Sequence, residues 1–494
     1  MKSNIHSKIT CILLLAALLT SCGGTTADTT SENAQPDTAE TEAAETSLTY
    51  NKETEDFGGY TFTFLNQNDV FWTGSNHILD YDGLTGDGLS DAVYTRNRNA
   101  EDLMNINIEV IKGEMGGTDD MRTLMNQSIA AMEDIYDVVY LSLNHGGNTS
   151  FTGESTINLH TVESLQFSEE WWNQNFIDIA TIGDNILHTT IDYVNLMGYT
   201  YCNAMYFNRS LCRDYGMDYP YDLAREGKWT YDEMFAMMEQ VVSLGSQADW
   251  TPDISGDAMY GLVGQHQETT VTMLQGCGTF IVQKDDNNIP KVRSDLNILV
   301  DAYDVLLNAL SQDGFCLLTN SPGSAASQGL NYFETNRALF YTGALGQGAS
   351  SRVRDADVEF GLLPIPKADV SQKEYCTPLS VYTFAMNIPV TAADPERTGK
   401  IMDYLAFSSY KDVLPVLQTN LCYKGVSDPT DIEMMNILLE TETVDLGDIY
   451  NLTTSFTNDV CGVNKMLAGN NTFASGLASI TEQVDTKIQE LFEE

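Results

Sequence analysis

The sequence predicts an α/β protein with more than one lobe, and three observations predict it. Strand patterns alternate with helix patterns of ordinary length from Tyr60 to Leu143, an order that gives parallel βαβ units in a three-layer α/β lobe. A further strand, helix, turn and helix series starts at the apolar, aromatic run Tyr199–Phe207. Roughly 445 residues follow Leu48, a length for two or three domains, and 43% of the chain is hydrophobic, enough for sizeable cores.

In chain order, Lys2 and Lys8 precede the apolar run Ile9–Leu19, which is too short for a mature span and reads as a secretory signal. The run ends Leu19-Thr20-Ser21-Cys22, which fits a bacterial lipobox: small residues for the peptidase and a cysteine to take the lipid. Residues 1–21 are therefore expected to be removed and Cys22 to be lipidated. Each acyl methylene buried in the membrane then contributes about 0.8 kcal/mol. Gly23–Ser47 is Thr, Ala, Ser, Glu and Asp without an aromatic residue, so residues 22–48 are expected to form a disordered tether.

The body is strongly acidic. With 25 Lys and Arg against 70 Asp and Glu, the formal charge is −45, which argues against nucleic acid or an anionic lipid surface as partner. Seven cysteines remain once Cys11 leaves and Cys22 is lipidated: Cys202, Cys212, Cys277, Cys316, Cys376, Cys422 and Cys461. None forms Cys-x-x-Cys, and no His stands at metal-ligand spacing from them. Two readings stay open, buried free thiols and a bridge such as Cys202–Cys212.

Tyr60–Leu65 alternates apolar and polar residues as a strand does, followed by a helix at Ser90–Met104, a strand at Ile106–Ile111, a helix at Asp119–Met132 and a strand at Tyr136–Leu143. Ligands of such lobes sit beyond the carboxyl ends of the strands. That singles out Asn66–Trp72, with Asn66, Asn68 and Trp72, and Ser142–Asn148, with Ser142 and Asn144. Trp72 has a second reading, as a plug of the lobe. Trp171-Trp172 is assigned to packing, because neighbours on a helix point about 100° apart and only one could face a cleft. Asn208 is placed to cap a helix over Ser210–Tyr215, Thr230 with Glu233 fits a capping box, and Trp229 reads as core. Asp249–Asp257 lacks a glycine and a terminal glutamate at the spacing a calcium loop requires, so no metal is expected. No phosphate loop, nucleophile elbow or zinc motif is found, so neither cofactor nor catalytic residue is assigned.

The order strand, Tyr206-Phe207-Asn208-Arg209, helix, Gly216, Pro220, then Trp229-Thr230-Tyr231-Asp232-Glu233 resembles the extracellular solute-binding proteins of carbohydrate ABC transporters, the maltose-binding-protein-like family. Further pieces match in order: Tyr260-Gly261, Tyr332–Leu345 with Asn336 at the family's usual glycine, and Phe360–Lys367 (FGLLPIPK). After these come a strand at Ser380–Ile388, a helix at Pro395–Ser408 and helices over Ser427–Glu494.

The resemblance implies two three-layer α/β/α lobes joined by hinge strands, the type II periplasmic binding protein-like fold. The first lobe would be 49–200 plus 376–422 and the second 201–375 plus 423–494. The hinge falls around Gly198–Cys202, with Tyr201 at a binding position and Tyr199 on the same face of the strand. Gln265, Gln267 and Glu268 match ligand contacts of the second lobe, and Gly343 and Leu345 stand where the family often carries a tryptophan. Amides and carboxylates would bond vicinal hydroxyls while rings cover the C–H face of a pyranose. What this implies is a monomeric, lipid-anchored binder on the outer face of the cell membrane. It would pass a sugar, or another polar solute, to permease subunits. A sensor or attachment lipoprotein is the alternative, and a glycoside hydrolase using paired carboxylates the second.

Overall fold

The computed structural model describes residues 48–66, 79–80, 83–113, 118–143, 153–244, 257–319, 325–349, 353, 356–422, 429–453 and 472–492. Cys22, the signal and nearly all of the tether, Asn68, Trp72, Asn144 and all but the last residue of Asp249–Asp257 lie outside them. The chain divides into Met1–Thr49 and Tyr50–Glu494, and the second unit carries the fold.

That unit opens with β1 (Tyr60–Asn66), α1 (Gly88–Met104), β2 (Ile106–Lys112), α2 (Thr118–Ala131) and β3 (Val138–Ser142). β1 pairs in parallel with both β2 and β3, as alternating strands and helices require. Local chemistry sets the helix ends. Asp87 accepts the Ser90 N–H at the start of α1, and Asn105 closes it in the left-handed region at φ 49°, a conformation asparagine tolerates better than most residues.

A turn-rich stretch then leads through α3 (Gln174–Ala180) and a helical turn, α4 (Met197–Thr200), to β4 (Asn203–Asn208), α5 (Arg209–Tyr215), α6 (Tyr221–Arg225) and α7 (Tyr231–Leu244). Next come β5 (Tyr260–Gln265), α8 (His266–Gln275), the hairpin β6 (Val282–Lys284) and β7 (Pro290–Val292), α9 (Asn297–Leu310), β8 (Cys316–Thr319), α10 (Ala325–Glu334), β9 (Ala338–Ala344) and β10 (Phe360–Leu363). These make a five-stranded sheet in the order β10-β4-β9-β5-β8. Asn208 caps α5 as expected, accepting the Leu211 N–H at 2.9 Å. Trp229 is fully buried against Phe340, with its indole N–H on the Pro364 carbonyl at 3.0 Å.

The chain returns through β11 (Thr377–Pro378) to β12 (Phe384–Asn387), which pairs antiparallel with β3 and completes the first sheet as β12-β3-β1-β2. The strand expected over Ser380–Ile388 is thus shorter. Its first residues pair with the other crossing segment instead of the sheet, as described below. α11 (Pro395–Ser408) follows, with Asp394 capping and Pro395 in its first turn. Both α11 and α12 (Leu414–Cys422) pack on α1. α13 (Pro429–Glu440) crosses back to β10, β13 (Glu442–Thr443) pairs with β11, and α14 (Leu446–Ile449) precedes α15 (Phe473–Phe492), which packs on α9 and β7.

Each sheet has its own core. Phe62, Phe64, Leu65 and Tyr140 fill the first, and Tyr206, Phe207, Leu262 and Phe340 the second, all at 1% exposure or less. Burying one such side chain stabilises the fold by about 1.5–3 kcal/mol. Cys202 and Cys212 are both free and buried, with β4 between them, so the bridge suggested from sequence is absent.

Trp171 and Trp172 lie in turns rather than on a helix. Both indole N–H groups therefore reach one carboxylate, Asp403 on α11, each at 3.1 Å. Lys52 at 2.8 Å and the Tyr50 hydroxyl at 3.2 Å bond its second oxygen. Removing the carboxylate leaves a half-buried lysine and two buried indole donors without their acceptor. Asp403→Ala should destabilise the body by about 3–5 kcal/mol, with Asp403→Asn milder, read from urea unfolding followed by tryptophan fluorescence. Unfolding midpoints unchanged by either substitution would contradict this role.

Candidate functional site

The carboxyl ends of the parallel strands locate the candidate site. β1 ends at Asn66 and β3 at Ser142 in the first sheet, while β5 ends at Gln265 and β9 at Ala344 in the second. Two crossing segments, 192–202 and 376–383, join these edges and bond to each other. Cys202 bridges Leu379, and the Ser380 N–H donates to the Tyr201 carbonyl at 3.0 Å.

Polar side chains shape the first crossing. Asp192 accepts the Val194 and Asn195 N–H groups at 2.8 Å each and the Tyr140 hydroxyl at 2.9 Å. Asn195 in turn accepts the Met197 N–H at 3.1 Å. Such local side-chain bonds compete with extended pairing, so Met197–Thr200 winds into a helical turn where its aromatic content predicts strand. Tyr199 and Tyr201 consequently do not share a strand face, which corrects the expectation above. Burial pushes the Asp192 carboxyl up to about 6 despite its donors. Buried Arg96 braces the same turn, donating to the Val194 carbonyl at 3.1 Å, and burial lowers its guanidinium to about 10.

The predicted residues tie into this frame to different degrees. Asn66 is buried and accepts the Asn195 amide at 3.3 Å. Ser142 is fully buried where β3 pairs with Phe384. The Tyr199 hydroxyl accepts the Gln418 amide of α12 at 3.1 Å, and Tyr201 offers its carbonyl to the second crossing. Glu268, half-buried in the first turn of α8, accepts the Ser380 hydroxyl at 3.2 Å. Gln265 and Gln267 stand where β5 passes into α8.

Gly343 and Leu345 are closed in. A Cβ on Gly343 would meet the Gln347 side-chain oxygen at 2.1 Å, so no larger residue fits without repacking. The Leu345 N–H donates to the Cys202 carbonyl at 2.8 Å, and its own carbonyl accepts the Tyr206 hydroxyl at 2.9 Å. Sequence reasoning missed Asp192, Asn195, Ser380 and Gln418. The Asp-x-x-Asn spacing before Met197 was a readable turn signal; the other two carry none. The buried hydroxyls of Thr200 and Thr383, one on each crossing, have no hydrogen-bond partner among the described residues.

Among the described residues no three His, Cys, Asp or Glu side chains stand close enough to hold a metal ion. A cavity of about 420 Å³ beside Tyr231, Val305 and Gln372 lies elsewhere on the second lobe and is lined by none of the predicted residues.

Two carboxyls at the crossings have only neutral side-chain partners. Ser380 bonds Glu268, and Asn173 bonds buried Glu442 at 2.7 Å; burial pushes both carboxyls up to about 7. Each binds its proton more tightly folded than unfolded. Their stabilisation is therefore complete below the unfolded value of about 4.5 and is lost as pH rises through about 7. Glu442→Gln should remove a decline of the order of 3 kcal/mol across that window, and Glu268→Gln a smaller one because it is more exposed. Urea midpoints measured against pH check this; parallel curves for wild type and both variants would contradict it.

No protein-family model matches the chain, and no curated protein does. Solved structures do. An ABC substrate-binding protein from Listeria monocytogenes in complex with cycloalternan is 12% identical, with 87% of this chain and 99% of that chain covered and a TM-score of 0.56. Maltose-bound T. maritima MalE3 is 13% identical, over 87% of this chain and 100% of that one, at a TM-score of 0.54. UgpB from Mycobacterium tuberculosis in complex with glycerophosphocholine is 12% identical, over 88% and 98%, at 0.53. At such identities the likeness speaks for architecture, and it agrees with the two sheets and paired crossings: the chain has the two-lobed, type II periplasmic binding protein-like fold.

Proposed function

We propose that this chain is the substrate-binding lipoprotein of an ABC importer, which captures a sugar or oligosaccharide between its lobes and delivers it to membrane permease subunits. The observation that carries the reading is the convergence of both sheets' carboxyl ends on two crossing segments bonded to each other. Two separately cored lobes on such crossings can close on a guest, and contacts made only in the closed form drive closure. The moving parts are 49–200 plus 376–422 and 201–375 plus 423–494.

Asn66, Asn68, Ser142, Asn144, Gln265, Gln267 and Glu268 supply hydrogen bonds to hydroxyls, Trp72, Tyr199 and Tyr201 supply ring faces, and Gly343 and Leu345 face the ligand from the second lobe. The Thr200 and Thr383 hydroxyls, without a hydrogen-bond partner among the described residues, support a polar guest near the crossings. So do the cycloalternan and maltose carried by two of the similar structures. No bond is made or broken. Lipid on Cys22 holds the monomer at the extracytoplasmic face, and the tether lets the body reach its permease.

A thermal-shift panel of mono- and oligosaccharides tests this. A sugar at 100 times its Kd should stabilise the protein by about 2.7 kcal/mol. Trp72→Ala should weaken binding about tenfold or more with the ligand-free melting point unchanged. If glycerophosphodiesters, peptides or polyamines raise the melting point and no carbohydrate does, the substrate class is wrong. Product formed from an incubated glycan would make the protein an enzyme.

A further inference from the structure

Two cysteines distant in sequence are brought together at the far end of the helix that carries Glu268. α8 lies beside the second crossing segment and is tied to it at its start by the Glu268–Ser380 hydrogen bond. From Glu268 to Cys277 the chain advances nine residues, roughly 13 Å at helical rise, and from Cys376 to Ser380 four residues, roughly 13 Å if extended. Run antiparallel, helix and strand meet again at Cys277 and Cys376.

The contacts agree. The Gln372 amide donates to the Gly276 carbonyl at 2.8 Å and to the Glu374 carbonyl at 2.9 Å, so one nitrogen bridges the backbones beside both cysteines. The Gly278 backbone and the Cys277 thiol both act electrostatically on the Cys376 thiol. Both cysteines are free, 6% exposed, and line one cavity of about 330 Å³ with Gly278, Phe280 and Tyr375.

We propose that Cys277 and Cys376 form a disulfide site that fastens the second crossing segment to the end of α8. Oxidised glutathione suffices as oxidant. One cysteine thiolate displaces glutathione from the reagent, and the second attacks the protein sulfur of the mixed disulfide. A single bond between the two cysteine sulfurs forms as the reagent's S–S bond breaks. The reagent's two sulfurs take up two electrons and the two thiol protons, leaving as reduced glutathione. Burial raises both thiols, Cys277 to about 11, so little thiolate exists at neutral pH and exchange in the folded protein is slow.

The test is therefore refolding of the reduced, denatured chain in a mixture of oxidised and reduced glutathione, then maleimide quenching in denaturant and peptide mass mapping. The expected product joins the Cys277 and Cys376 peptides, loses two thiols per chain, and melts about 5 °C above the reduced form, as closing a loop of this length predicts. In Cys376→Ser, Cys277 should stay open to maleimide, and in Cys277→Ser, Cys376 should. The double variant, folded by circular dichroism, should lose the redox dependence of its melting point. Maleimide on both cysteines after oxidative refolding, glutathione on each, or either one joined to a third cysteine would overturn the proposal.

Discussion

The architecture depends on one short pairing, Cys202 against Leu379 and the Ser380 N–H on the Tyr201 carbonyl. It is the place where the chain leaves the first sheet and the place where it returns. The two crossings satisfy some of each other's backbone groups, and residues just past β3 and β9 satisfy others, Leu143 N–H on the Thr383 carbonyl and Leu345 N–H on the Cys202 carbonyl. Each sheet can then close its own core, around Phe64 and Tyr140 in one and around Tyr206 and Phe340 in the other. The polar residues gathered at the crossings follow from this. A segment belonging to neither core needs side-chain donors and acceptors, and Asp192, Asn195, Ser380 and Glu268 supply them.

Much of the fold was legible because its signals are local. Asp394-Pro395 opens α11, the Asp285–Asn288 turn joins β6 to β7, and Asn336 closes α10 in the left-handed region at φ 58°. Each is a residue acting on its own backbone. The site was legible only in part. The aromatic composition of Tyr199–Phe207 favours strand throughout, yet side chains at positions 192 and 195 decide the conformation of residues 197–200. Trp171 and Trp172 needed an acceptor 232 and 231 residues away to explain them. Gly343 reads as an open position in the sequence but is filled from the side by Gln347 and Tyr341. In all three cases the missing information is a partner remote from the local pattern, which periodicity does not carry.

Charge is distributed with a similar logic. In a chain with so few cations, Lys52 is committed to Asp403 within the first lobe and Arg209 to Asp431 within the second. Those acids help fix lobe interiors. At the crossings, by contrast, Glu268 and Glu442 are held by a hydroxyl and an amide. Burial raises the Asp431 carboxyl even beside Arg209, and it pushes Glu268 and Glu442, whose side-chain partners are neutral, up to about 7. The surface carries the acidic excess in water at little cost; the crossings carry theirs partly protonated.

The stretch from Trp171 to Thr190 sets a condition on how the lobes can move. Its two ends belong to the first lobe, Trp171 and Trp172 through Asp403 and Thr190 through its pairing with Met386. Its middle is bonded to both lobes. Lys284 on the β6–β7 hairpin donates to the Asp178 and Thr181 carbonyls, Gly183 N–H bonds the Asn288 carbonyl at 3.1 Å, and the Tyr450 hydroxyl reaches the Ala180 carbonyl. A lysine at the carboxyl end of α3 suits the helix dipole, so the tie is favourable as well as present. The Gln174 amide donates to the Phe167 carbonyl at 2.6 Å and Thr181 bonds the His160 ring at 3.0 Å, so α3 is a tie between the lobes beside the two crossings. Asn173 holds Glu442, whose strand pairs with the second crossing. The two sheets are therefore joined by three ties, two crossings and α3, meeting beside one buried carboxyl. A rotation of the lobes about an axis far from α3 would have to break either its bonds to Lys284 or those to His160 and Phe167.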